Sequence, residues 1–296
     1  MKLSATLACV LLCVRVLACD VCGAVNSSLG LGTIASGNRH SFGLTYQYRT
    51  YKSNHPPLFN EPAIGSSERY QRLDFSGNIR MADRWQLKAV VPVVYNEQWK
   101  EGARDFRQGL GDPTLTINYF IVNRQDSLAV NQIRWSVGLG GKLPLGKFPE
   151  PHDEVLLLYP GTGTWDGVMQ SSFFYRHRKW GIIQECNAVV RSTNKYSYTP
   201  GSLFNATLFG FRRFSNWSLF GGFQYAWNGI DYIDREAINS SPSRGEILSA
   251  SVGGSIQWGN IMVQANAHLP VIQHLGNGYV NQELSFTAGI HYIFNN

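Results

Sequence analysis

The feature that most restricts what this chain can fold into is a two-residue alternation of polar and apolar side chains, repeated along most of its length. Segments of about ten or more residues keep this period and end in turn-forming clusters, the signature of strands with one wet and one dry face. Twelve such segments are legible, near residues 39–52, 68–81, 84–97, 110–122, 128–143, 165–177, 179–192, 203–214, 216–228, 245–258, 260–271 and 282–294. In "GLGDPTLTINYFIV", Leu115, Ile117, Tyr119 and Ile121 share one parity, while Thr114, Thr116 and Asn118 hold the other. No helical pattern interrupts the series.

The connections carry a second regularity, because short and long ones alternate along the chain. The short ones are "ADR", "NRQDS", "HRK", "FSN" and "WGN". The long ones are "KSNHPPLFNEPAIGSS", "EQWKEGARDFRQG", residues 144–164, "STNKYSYTPG", residues 229–244 and "VIQHLGNGYVNQ". An even-stranded membrane barrel requires this sorting, with tight periplasmic turns at one end and longer loops at the other. A soluble sandwich has no reason for it.

Side-chain parity points the same way. Trp217, Leu219, Phe223, Tyr225 and Trp227 share one face of their segment, opposite Ser218, Gln224 and Asn228. Trp85, Leu87, Ala89, Val91, Val93 and Tyr95 do the same opposite Gln86, Lys88 and Asn96. Aromatics near the strand ends suit the two membrane interfaces. The composition agrees: 30 glycines, 13% aromatics, only 16% charged residues and a slightly negative mean hydropathy suit alternating strands better than apolar helices. Beyond the N-terminus no run reaches the ~18 apolar residues a spanning helix needs. Strand edges left open in hydrocarbon would leave N–H and C=O groups unpaired, so the sheet must close. The expectation is therefore an all-β fold, a transmembrane antiparallel up-and-down β-barrel of about twelve strands occupying residues 39–296.

Residues 1–18 read as a secretory signal: Lys2, an apolar stretch from Ala5 to Val14, then Val16 and Ala18 before a cleavage site. Residues 19–38 are expected to form a short periplasmic segment carrying the "CDVC" pair, Cys19 and Cys22. A disulfide, a lipidated Cys19 and metal binding are all open to that pair, although one pair supplies at most half of a tetrahedral zinc site. Cleavage would remove Lys2 and Arg15 and leave 24 basic against 20 acidic residues, a dispersed excess that is no nucleic-acid footprint. The ending "GIHYIF" resembles the C-terminal signal read by the barrel assembly machinery, so the expected partners are that machinery, outer-membrane lipid and a small solute whose identity the sequence leaves open.

With parity fixed, the inward residues are expected to include Arg49, Arg72, Asp74, Arg80, Lys88, Arg134, Lys142, Arg176, Glu185, Arg191, Glu283, His268 and His291. A cation-rich lining favours anionic or polar solutes, but charges that avoid lipid point inward in any barrel. The apolar run Val155–Leu158 in the long loop "PLGKFPEPHDEVLLLYPGTG" should fold back on something. It forms either a gate at the mouth or a strand continuing above the membrane. A lipid-hydrolase reading would use His274 and Asn277 of "HLGNGY", but Gly276 stands where a serine is needed, and no catalytic, metal-binding or cofactor motif appears.

Two short stretches, "GLGD" at 109–112 and "LPLG…YPGTGTWD" at 143–166, resemble the meta-pathway phenol-degradation and transporter family of bacterial outer-membrane proteins. The resemblance covers most of the chain beyond the signal as a strand pattern, and implies a barrel that moves small, hydrophobic or aromatic, compounds. Its matching positions include Gly109, Gly111, Asp112, Pro144, Gly146, Pro160, Gly161, Gly163 and Asp166, which read as turn and rim formers. Where relatives continue as "CxxCGC" this chain has Ala24, which weakens metal binding at Cys19 and Cys22. The reading is a channel or transporter with no cofactor, against a structural barrel with an occluded lumen and, third, a lipid-modifying enzyme.

Overall fold

The computed structural model describes residues 39–55, 64–126, 130–148, 156–238 and 243–294. The expected signal, the Cys19–Cys22 pair and Val155 lie outside them. The strands are β1 (Ser41–His55), β2 (Ile64–Ala82), β3 (Trp85–Lys100), β4 (Ala103–Leu110), β5 (Thr114–Gln125), β6 (Asn131–Lys142), β7 (Asp166–His177) and β8 (Trp180–Arg191). They continue with β9 (Tyr198–Thr199), β10 (Leu203–Arg213), β11 (Trp217–Asn228), β12 (Tyr232–Ile233), β13 (Glu236–Ala237), β14 (Gly245–Trp258), β15 (Ile261–Leu275), β16 (Val280–Gln282) and β17 (Ser285–Ile293). The short β9, β12 and β13 form a separate small sheet among the long loops.

The other fourteen form one antiparallel sheet that closes where β1 meets β17, with Leu44 opposite Ile290 and Tyr48 opposite Phe286. Fourteen strands make twelve staves, because two staves are each built from two strands. β4 pairs with the upper part of β3 and β5 with its lower part, and likewise β16 and β17 both lie against β1. Closure leaves each backbone ladder with partners on both sides through the membrane zone.

One segment expected to be a loop is instead part of the wall. Residues 97–109 form much of the hairpin of β3 and β4, with Lys100 opposite Ala103 across a two-residue turn. Glu101 and Gly102 both have positive φ, 51° and 81°, the requirement of the type I′ turn that matches strand twist. Gly111-Asp112-Pro113 is consequently not a loop between staves but a break inside one. Proline has no N–H to give a ladder, so pairing lapses there and resumes at Thr114.

The outward parity is an apolar surface: Trp85, Leu115, Ile117, Leu208, Phe223 and Ile290 are all well exposed. Exposed apolar area on this scale belongs against lipid rather than water. The inward parity is mostly polar and buried, with Gln47, Asp74, Thr116, Asn118, Asn205, Thr207 and Gln264 among it. Toward the short-turn end the lumen is narrowed by an apolar group, Ile183, Phe209, Phe211 and Phe220, with Phe174 against it.

Candidate functional site

The long loop between β6 and β7 is the structural centre of the long-loop end. After Lys142 the chain turns away from the wall, with Leu143 N donating to Pro113 O at 2.8 Å. Pro144 begins the departing arm and Gly161 lies on the returning one, where Gly161 N donates to Lys147 O at 2.9 Å. The arms touch at Gly146 and Gly161, so closely that a Cβ on Gly161 would lie 2.7 Å from Gly146 Cα. Only glycine tolerates that approach. Pro160 packs over Gly111, where a Cβ would meet its carbonyl oxygen at 3.1 Å, and beside Gly109 at the end of β4. Gly163, at φ +71°, sits under the ring of Phe148.

Asp112, at the break in the wall, staples both arms. Its Oδ1 accepts from Gly146 N at 2.9 Å; its Oδ2 accepts from Thr162 N at 2.9 Å, Thr162 Oγ1 at 3.1 Å and Lys142 Nζ at 3.0 Å. Lys142 Nζ also lies 2.7 Å from Asp166 Oδ2, whose second cation is Arg191 at 3.8 Å. Thr162 Oγ1 gives its single proton to Asp112, so Lys142 and Thr164 donate to it in turn, at 2.5 and 2.7 Å. Asp112, Lys142, Asp166, Arg191 and Thr164 are all buried. Two carboxylates face two cations, so the cluster is neutral overall, the condition for keeping such charges away from water.

Beyond this clamp, the described returning part of the loop, from residue 156, reaches the mouth of the barrel. Residues Leu156–Leu158 make one turn of 3-10 helix. Leu158 is 0% exposed, within an apolar group that includes Tyr51 and Tyr70 from one side of the barrel and Ala226, Ile247 and Leu275 from another. Asn96 Nδ2 donates to Leu158 O at 3.0 Å, and Arg107 stacks on Tyr159 at 5.1 Å. Of the two expectations for this segment, folding into the mouth is the one observed.

The other sequence-derived residues divide into separate groups. Asp74 gathers Arg72 Nε at 2.6 Å and Gln47 Nε2 at 2.9 Å, while Arg49 donates to Gln47 Oε1 at 3.0 Å. Lys88 and Arg72 border a void of about 40 Å³ beside Lys142. Arg49 and His268 border another of about 20 Å³. His268 is held by Ser251 at 2.7 Å and Asn266 at 2.8 Å, and His291 by Gln264 at 2.9 Å. Ser172 donates to Glu185 at 3.5 Å. Arg80 pairs with Asp83 at 2.5 Å by the short-turn end. Arg134 and Arg176 border the largest of these voids, about 160 Å³, at that same end.

Several expectations change. Glu283 does not face the lumen: it lies between β16 and β17, where the ladder lapses, and pairs with exposed Lys52 at 2.6 Å. Arg191 faces inward as expected, but its charge belongs to the loop clamp. The motif residues are more than turn formers, since Asp112 and Asp166 anchor the loop electrostatically. Phe148 lies outside the motif stretches and Thr164, though within one, shows no role in it, since one sequence carries no sign of contacts spanning tens of residues. His274 is exposed on the outward side of β15, and Asn277 sits at φ 57° in a tight turn, with no metal-binding group of His, Cys, Asp or Glu among the described residues.

No protein-family model and no curated protein matches the chain. Among solved structures, an outer membrane channel from Pseudomonas putida F1 aligns with a TM-score of 0.64 at 16% identity, over 93% of this chain and 100% of that one. The β domain of the Bordetella autotransporter BrkA gives 0.45 at 12% identity, over 86% and 100%. The Ralstonia pickettii toluene transporter TbuX gives 0.43 at 11%, over 88% and 90%. At such identities the first likeness is one of fold, and the fold is that of an outer-membrane β-barrel.

Proposed function

We propose that this protein is an outer-membrane channel for small molecules, hydrophobic and aromatic ones foremost, and that it belongs with the meta-pathway phenol-degradation and transporter barrels its motifs resemble. The observation that carries the reading is the loop after β6, in its described parts 143–148 and 156–165. These parts are held at the mouth by a clamp and side-chain contacts, whereas the barrel wall is held by backbone ladders between neighbouring strands. A purely structural barrel has no need of a loop in its lumen, and loop contacts can open without unfolding the sheet. The loop's contact with the wall, through Leu158, Tyr51, Tyr70 and Tyr159, is apolar and aromatic, so displacement of the loop would uncover a surface suited to an apolar solute carrying few polar groups. The P. putida channel, similar in fold, supports the same reading.

One observation favours the second reading, an occluded barrel: three voids bordered by the described residues are small and have separate linings. Two measurements divide the readings. In planar bilayers the wild type is expected to give discrete openings, and a variant with residues 147–160 replaced by a short Gly-Ser link a larger, steadier conductance. In intact Gram-negative cells, expression is expected to speed uptake of labelled phenol and toluene. Silence of both proteins in bilayers, with uptake unchanged, would overturn the channel.

A further inference from the structure

The void at the short-turn end differs in chemistry from the rest of the lumen. Four guanidiniums border it, those of Arg39, Arg134, Arg176 and Arg213, and no carboxylate does. The cations come from different parts of the chain: Arg39 precedes β1, and the others lie on β6, β7 and β10. Inward parity brings all three strand residues to one mouth. Arg39 and Arg213 are exposed at the rim, while Arg134 and Arg176 sit deeper and half-buried.

Several other basic groups in the barrel meet acids: Arg72 has Asp74, and Lys142 and Arg191 have Asp166. Here the nearby carboxylate, Asp126, lies outside the void: it attracts Arg176, and it is also bound by its own turn. It accepts from Val130 N at 2.6 Å, Asn131 N at 2.8 Å and Asn131 Nδ2 at 2.9 Å. Among the described residues Arg134 has no ion-pair partner, and its buried Nε lacks a hydrogen-bond acceptor. Its guanidinium lies over the ring of Phe174 at 4.4 Å, and Phe174 stacks on Phe211 with centroids 5.5 Å apart. Stacking fixes the plane of the guanidinium and leaves its in-plane N–H edge for an acceptor.

Like charges crowded at the edge of an apolar patch repel one another, and an anion between them relieves that repulsion. The fork of an arginine matches a carboxylate in two parallel hydrogen bonds. The aromatic floor asks for an apolar body attached to that carboxylate. The volume, about 160 Å³, is close to the ~150 Å³ at which an apolar cavity accepts one benzene ring. We propose that this vestibule is a binding site for small aryl carboxylates, with the carboxylate on Arg134 and Arg176 and the ring against Phe174 and Phe211. Arg39 and Arg213 at the rim draw the anion in. The site goes beyond the transport reading and stands on its own geometry.

The test is calorimetric titration of the full-length, detergent-solubilised protein with benzoate, benzyl alcohol and inorganic phosphate at low salt. Benzoate is expected to bind saturably at one site, at least ~10-fold tighter than either benzyl alcohol or phosphate, as loss of a charge-assisted contact or of the ring implies. Arg134→Gln and Arg176→Gln should each weaken benzoate ~10-fold or more, while Arg124→Gln, exposed and away from the void, should not. Wild-type affinity should also fall as sodium chloride rises, a measurement that needs no variant to fold. Absence of benzoate binding, equal binding of benzyl alcohol or phosphate, or an affinity indifferent to salt would each overturn the proposal. Conductance and uptake play no part here, so a failed channel leaves this site untouched and the reverse holds too.

Discussion

At the scale of single residues, Lys142 is the side chain on which most depends. It contacts Asp112 at 3.0 Å and Asp166 at 2.7 Å from a buried position, so its removal leaves two carboxylates with one cation of the cluster, Arg191, 3.8 Å from Asp166. Breaking a buried pair by deleting one partner costs about 3–5 kcal/mol. Lys142→Met is accordingly expected to lower stability by about that amount in urea unfolding followed in detergent micelles. Adding Asp112→Asn should restore part of it, because an amide needs no counter-charge, with a coupling of about 0.5–3 kcal/mol in the double-mutant cycle. Strict additivity would mean that the clamp is not a unit. The sequence showed Lys142 and Arg191 facing inward and Asp112 and Asp166 in a motif. It did not show that the four meet, since parity fixes which way a side chain points but not which distant residue it finds.

At the scale of elements, the alternation was most legible where a strand crosses the membrane zone, because there alone does one face meet lipid and the other a polar interior. The hairpin of β3 and β4 stands beyond that zone. In β4, "ARDFRQGL", nearly every residue is exposed, so no face selects apolar side chains and the stretch reads as a loop. The break at Gly111-Asp112-Pro113 was misleading for a related reason: a turn between staves and a lapse within one use the same residues. What specifies the hairpin is its turn, and Gly102 at φ 81° is the position that tests it. A β-branched residue in that region costs about 1–2 kcal/mol. Gly102→Val should therefore speed amide exchange over residues 97–106, read by mass spectrometry, and leave Trp85–Val90, paired with β5, as protected as before. Equal loss in both segments would mean that the hairpin and the wall unfold together.

At the scale of the whole molecule, the sidedness of the sheet is the claim with the widest reach, since barrel, channel and vestibule all assume that lipid is outside. Leu208 offers a clean test. It lies in the middle of β10, 53% exposed, between Thr207 and Phe209, which are buried on the inward parity. On a water-facing surface, replacing a half-exposed leucine with arginine usually changes stability by no more than about 0.5 kcal/mol. Near the middle of a bilayer the same change costs about 2–4 kcal/mol, because the charge enters hydrocarbon or drags water and headgroups inward. Leu208→Arg is thus expected to destabilise the barrel by that larger amount when it is folded into phosphatidylcholine vesicles. Trp217→Arg, at the short-turn end of β11 near the interface, should cost about 0–1 kcal/mol by the same depth dependence. The contrast matters more than either value. A protein that buried this belt against a partner would also resist arginine at Leu208, but it would not become more tolerant in thinner bilayers. A lipid-facing belt must, because shortening the acyl chains brings the guanidinium within reach of the headgroups.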